Sequence, residues 1–96
     1  MSISFNDFIG EDTIILTGNI LHPNSGAPFS FVLTDKKLMY HLNTTMIYIF
    51  LLPLKNIKVI KISPDSIEVD NREIKYGPEN AELAKRLFNE IAKRIV

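Results

Sequence analysis

The side chains able to do chemistry are few, and their spacing argues against most of it. The chain has two histidines, His22 and His41, and no cysteine. A zinc centre is almost always built from about four N, O or S ligands held close together. With no thiolate and no Asp or Glu at a ligand-like spacing from either histidine, no metal site is expected. Absence of cysteine also removes disulfides and thiol catalysis. Glu68 and Glu73 are the best candidates for a carboxylate pair, yet the local alternation puts both on the outward side of a hairpin, where water solvates them. No serine sits in a Gly-flanked turn beside a base, so an activated nucleophile is not expected. Gly10, Gly18, Gly26 and Gly77 are isolated, so no phosphate-cradling loop forms. Neither an enzyme nor a cofactor is expected.

What remains is non-covalent recognition, with three candidate surfaces. Phe29, Phe31, Tyr40, Tyr48 and Phe50 could stack bases beside Lys36, Lys37 and Lys58. Core packing accounts better for most of these rings, and eleven basic residues cancel eleven acidic ones, so no nucleic acid is expected. The second surface is a lysine-rich strip. Residues 36–61 hold Lys36, Lys37, Lys55, Lys58 and Lys61 without an acidic residue, whereas residues 1–35 hold Asp7, Glu11, Asp12 and Asp35 without a basic one. Solvated outward positions explain the strip; an anionic ligand or membrane surface is the alternative.

The third surface is the run from Met46 to Leu52, where both alternating sets are apolar. Ile47, Ile49 and Leu51 are expected to point to the core and Met46, Tyr48, Phe50 and Leu52 away from it. A flat apolar strand cannot stay uncovered without inviting aggregation. Either an N-terminal arm covers the outer set, or Met46, Tyr48, Phe50 and Leu52 form a partner interface, with a homo-oligomer as the expected assembly.

These residues must be held by a scaffold, and the periodicity describes one. Residues 1–10 have Ile3, Phe5, Phe8 and Ile9 at helix-like spacing and read as an arm or short helix. From Thr13 to Tyr76 the period is two. Strands are predicted at 13–21, 29–34, 38–42, 46–52 and 57–62, punctuated by His22–Pro28, Asp35-Lys36 and Asn43–Thr45. A two-residue loop at Asp70-Asn71 then pairs Val69 with Arg72 and Ile67 with Ile74. Ile67, Val69, Ile74 and Tyr76 share one face and Glu68, Glu73 and Lys75 the other, so slipping the register would scatter the apolar set. After Gly77-Pro78 the period becomes 3.6. Leu83, Ala84, Leu87, Phe88, Ile91, Ala92 and Ile95 form one stripe of a helix over 78–95. Glu79 and Glu82 suit its positive end, Lys93 and Arg94 its negative end.

Ninety-six residues fit one domain, 1–96, of mainly β class with seven strands in a curled antiparallel sheet or barrel capped by one C-terminal helix. Apolar residues make up 46% of the chain, enough for one modest core, and 23% charged residues keep it out of the disordered class. The apolar run is far shorter than the roughly 20 residues a spanning helix needs. With no basic leader or apolar h-region at the start, a cytoplasmic location is expected, with peripheral membrane contact as the variant.

The order of elements resembles a known family. Leu33-Thr34-Asp35-Lys36-Lys37-Leu38-Met39-Tyr40 is similar to the hairpin of GRAM and bacterial PH-like (pleckstrin-homology fold) domains, and Leu52-Pro53-Leu54-Lys55-Asn56-Ile57 to their following strand start. The hairpin from Ile67 to Tyr76 and the terminal helix complete the order over residues 11–96. The resemblance implies a seven-stranded curled sheet bent into two halves, one end plugged by the helix. It also implies binding rather than catalysis, to phosphoinositides or protein segments, and symmetric self-association in some members. The loop that clamps phosphates in phosphoinositide-binding relatives corresponds to His22–Pro28, which has no Lys or Arg. Headgroup binding there lacks its charge-assisted hydrogen bonds.

Overall fold

A computed structural model of the chain describes residues 5–26, 28–42 and 49–95. It is mainly β with one C-terminal helix. A one-turn helix α1 (Asn6–Ile9) precedes β1 (Ile14–Leu21), β2 (Pro28–Thr34), β3 (Lys37–Leu42) and β4 (Phe50–Pro53), which pair antiparallel in chain order. β5 (Ile60–Ser63), β6 (Ser66–Val69) and β7 (Arg72–Lys75) form a second antiparallel sheet, and α2 (Ala81–Arg94) ends the chain. Among the described residues there are therefore seven strands, in two sheets of four and three rather than one continuous sheet, and they do not close into a barrel.

The break falls between β4 and β5, where a strand over 57–62 is predicted and only its second half forms. A 3-10 turn occupies Leu54–Asn56. The Asp70 carboxylate then accepts the N–H groups of Lys58 and Val59 at 3.0 and 2.9 Å, and the Asp70 N–H donates to the Val59 carbonyl at 2.8 Å. Asp70 itself has φ 53, in the left-handed region that Asp tolerates through such local bonds. Backbone groups spent on this loop cannot join a ladder. The β6–β7 register is the predicted one, with Val69 opposite Arg72 and Ile67 opposite Ile74.

Directly opposed residues share a sheet face, so the registers define the interior. Leu16, Ile20, Phe29, Phe31, Leu33, Leu38 and Tyr40 from the first sheet meet Ile67, Val69 and Ile74 from the second, and Tyr76 just after it, in one buried cluster. Helix α2 packs on β1, β5 and β6 and contributes Ala84, Leu87 and Ile91, all fully buried. Gly18 makes room for it: a Cβ there would lie 2.8 Å from Leu83 Cδ2. The helix starts later than predicted, because Pro78–Asn80 is a 3-10 turn. The Asn80 side chain accepts the Leu21 N–H at 3.0 Å, tying the helix start to β1 instead of capping its own first turn.

The first sheet is also buried on part of its outer face. Val32 and Met39, directly opposed, are 7% and 0% exposed, although neither belongs to the inner cluster. The segment carrying α1 crosses this face. Phe5 stacks on His41 at a ring separation of 5.4 Å, and Asp12 reaches Lys37 at the other end of β3. Val32 and Met39 lie under that path, which explains why β2 is not simply half-buried.

Candidate functional site

One end of β3 is closed by polar chemistry. The Lys37 ammonium donates to Asp12 Oδ2 at 2.7 Å. The fully buried Thr34 hydroxyl donates to the same oxygen at 3.1 Å and accepts the N–H groups of Lys36 and Lys37. Asp35 joins from outside: its carboxylate accepts the Thr13 N–H, and its own N–H donates to the Thr13 carbonyl. The hydrogen bond from Lys37 holds the Asp12 carboxyl below the ordinary aspartate range, with burial working against it and Thr34 in its favour. Every group here has a partner, so this end is a structural clamp between arm and sheet.

Among the described residues, the opposite end of the inner face is open and apolar. A cavity of about 380 Å³ lies between the two sheets, walled by Phe29, Leu38, Tyr40, Phe50, Leu52 and Ile74, with Arg72 at its mouth. Its aromatic wall is a row across three neighbouring strands: Phe29 on Tyr40 at 5.0 Å and Tyr40 on Phe50 at 5.1 Å, the latter pair within 16° of parallel. The row follows from register, since Phe50 faces Tyr40 across β3–β4. Burial raises the Tyr40 phenol above its ordinary range, and the nearby Arg72 guanidinium, which donates to it, partly offsets that.

Of the residues expected to form a partner interface, Met46 and Tyr48 lie outside the described residues. Phe50 and Leu52 sit opposite Tyr40 and Leu38, on the inner face. The expected face assignment is thus inverted: Leu51 points outward with Met39, and Phe50 and Leu52 inward. The physical reason is pairing register, which a run apolar on both faces does not specify. Both faces nonetheless reach solvent, with Phe50 39% and Leu51 46% exposed on a strand at the edge of its sheet. Met39, the cross-strand neighbour of Leu51, is 0% exposed on the same face.

The lysine strip is dispersed. Lys37 is taken by Asp12, while Lys36 lies in the β2–β3 turn and Lys55 in the turn after β4. Lys58 and Lys61 line a shallow depression together with Glu68 and Asp70, whose carboxylates offset them. His22 Nδ1 accepts the N–H groups of Asn24 and Ser25 at 3.2 and 3.3 Å, ordering its turn, and His41 faces outward under Phe5. Glu68 and Glu73 oppose each other on the exposed face of β6–β7. Among the described residues no three His, Asp or Glu side chains group as metal ligands, and no helix is long and apolar enough to cross a membrane.

The cavity and Arg72 were not picked out from sequence. The signal was present: with Val69 and Arg72 paired, Arg72 falls on the face otherwise held by Ile60, Ile62, Ile67 and Ile74. No family model, curated protein or solved structure matches the chain.

Proposed function

We propose that the chain is a non-catalytic interaction module of the PH-like, GRAM-like type. It binds protein through the apolar run that ends in β4, and its partner is a second copy of the chain. The observation that carries this reading is the exposure of two consecutive large apolar residues, Phe50 and Leu51, on opposite faces of one edge strand. Edge strands in soluble proteins are normally short, charged or covered, because a flat apolar edge templates association. β4 has no charged residue from Phe50 to Pro53. Its exposed residues continue a stretch, Met46 to Ile49, that is equally apolar in sequence. The succession of four strands, three strands and a helix is compatible with the curled, helix-capped sheet of that family.

Light scattering over a concentration series tests this. The wild type is expected to show a mass above that of one chain, and Phe50→Lys with Leu51→Lys to return it to a single chain. A wild type that stays monomeric throughout would refute self-association.

A further inference from the structure

We propose that the cavity between β4 and β7 binds an aliphatic carboxylate, with its chain against the Phe29–Tyr40–Phe50 wall and its head group on Arg72. This goes beyond the interaction reading, since it requires no second protein. The cavity volume of about 380 Å³ falls in the usual range for small-molecule sites, roughly 300–1,000 Å³. Such sites combine apolar walls with a few placed polar groups, which is the composition found here.

The head-group assignment rests on a break in pattern. Ile60, Ile62, Ile67, Val69 and Ile74 make the inner face of the three-stranded sheet apolar, and Arg72 is the exception. The other charged residues of these strands, Lys61, Glu68 and Glu73, lie on the opposite face; Arg72 is exposed too, but on the cavity side. The guanidinium lines the mouth of the apolar cavity beside the Tyr40 hydroxyl. No ion pair to Arg72 occurs among the described residues. Glu73 and Lys75 also reach the rim, but they carry opposite charges on the outward face. His22 is there too, with Nδ1 committed to its own turn. Asp70 on the hairpin turn feels the Arg72 charge, but its carboxylate is held by the Lys58 and Val59 amides, and among the residues that line the cavity Arg72 carries the unbalanced charge. Its planar fork matches a carboxylate, and the tyrosine hydroxyl supplies a further donor.

The ligand class fits the walls. The stacked rings present a long apolar surface with no hydrogen-bonding group except the Tyr40 hydroxyl, so they reward a plain hydrocarbon chain. A sugar or nucleotide would leave its polar groups unpaired.

Calorimetric titration of the full chain with decanoate tests the assignment, with octanoate, decanol, decyltrimethylammonium and a tripeptide ending in leucine as comparison ligands. Decanoate is expected to bind saturably at one site, and octanoate roughly fifteenfold more weakly, from about fourfold per methylene. Decanol should bind about tenfold more weakly than decanoate, and Arg72→Gln should lower decanoate affinity by a similar factor. Leu52→Trp, which fills the cavity, should abolish binding while the far-ultraviolet spectrum stays native. No decanoate binding at millimolar concentration would overturn the proposal. So would equal affinity for the alcohol and the cation, an unchanged Arg72→Gln, or binding of the peptide alone. These results are independent of the oligomer measurement, because a monomer can still bind decanoate and a dimer can fail to.

Discussion

The two ends of β3 receive the same kind of neighbour, a short segment laid against a sheet, and treat it differently. At Lys37 the arm arrives with Asp12, and a buried hydroxyl, an ion pair and two backbone amides satisfy one another. Near Tyr40 the neighbouring strand β4 arrives with Phe50 and Leu52, and the contact is a stack of rings beside unfilled space. Directional bonds close an interface because each unpaired member would be costly to bury. Apolar contact is non-directional, so the second end can stay open to whatever completes it.

Met39 and Leu51 make this contrast at the scale of one residue pair. They are cross-strand neighbours on the outer face, one 0% and the other 46% exposed. Met39→Ala leaves a hole beneath the arm and is expected to cost about 2–5 kcal/mol in chemical denaturation. Thr34→Val keeps the shape but strands the Lys36 and Lys37 amides, and a loss of about 2 kcal/mol or more is expected in the same assay. If Thr34→Val proved neutral, the polar clamp would be ornamental and the contrast would collapse. Phe50→Ala removes one ring of the stack and should cost about 1 kcal/mol, well below Met39→Ala.

The clamp should also show in acid. Lys37 holds the Asp12 carboxyl below its unfolded value, so its contribution is complete above that value. It is lost as pH falls through the lower, folded one. Stability measured on acidification should therefore fall less steeply for Asp12→Asn than for the wild type. Leu51→Lys is the smallest effect: within about 0.5 kcal/mol of wild type in the monomer, since the residue is exposed on an edge.

Much of the fold was legible because alternation and period are local signals. The Ile67–Tyr76 hairpin was readable to the residue, since only one register puts its apolar set on one face. The stripe of α2 was equally readable, apart from a first turn that Asn80 diverts to β1. The gap between the sheets was hidden, because it depends on Asp70 capturing Lys58 and Val59 from a distance in sequence. The orientation of Phe50 and Leu52 was hidden for the opposite reason. Their run is apolar on both faces, and only pairing with β3 decides which set turns inward. Arg72 was readable in principle, as the one charged residue on an apolar face, but its meaning depends on the cavity that the two sheets form together.

Amide hydrogen exchange compared between a dilute and a concentrated sample tests the central claim most directly. The Leu51 amide, which the β3–β4 register turns to the open edge, should gain protection as concentration rises, while those of Lys36 and Lys37, already closed by Thr34, stay unchanged. Equal exchange of the Leu51 amide in both samples, or new protection confined to another surface, would contradict the claim that this edge is where the chain meets its partner.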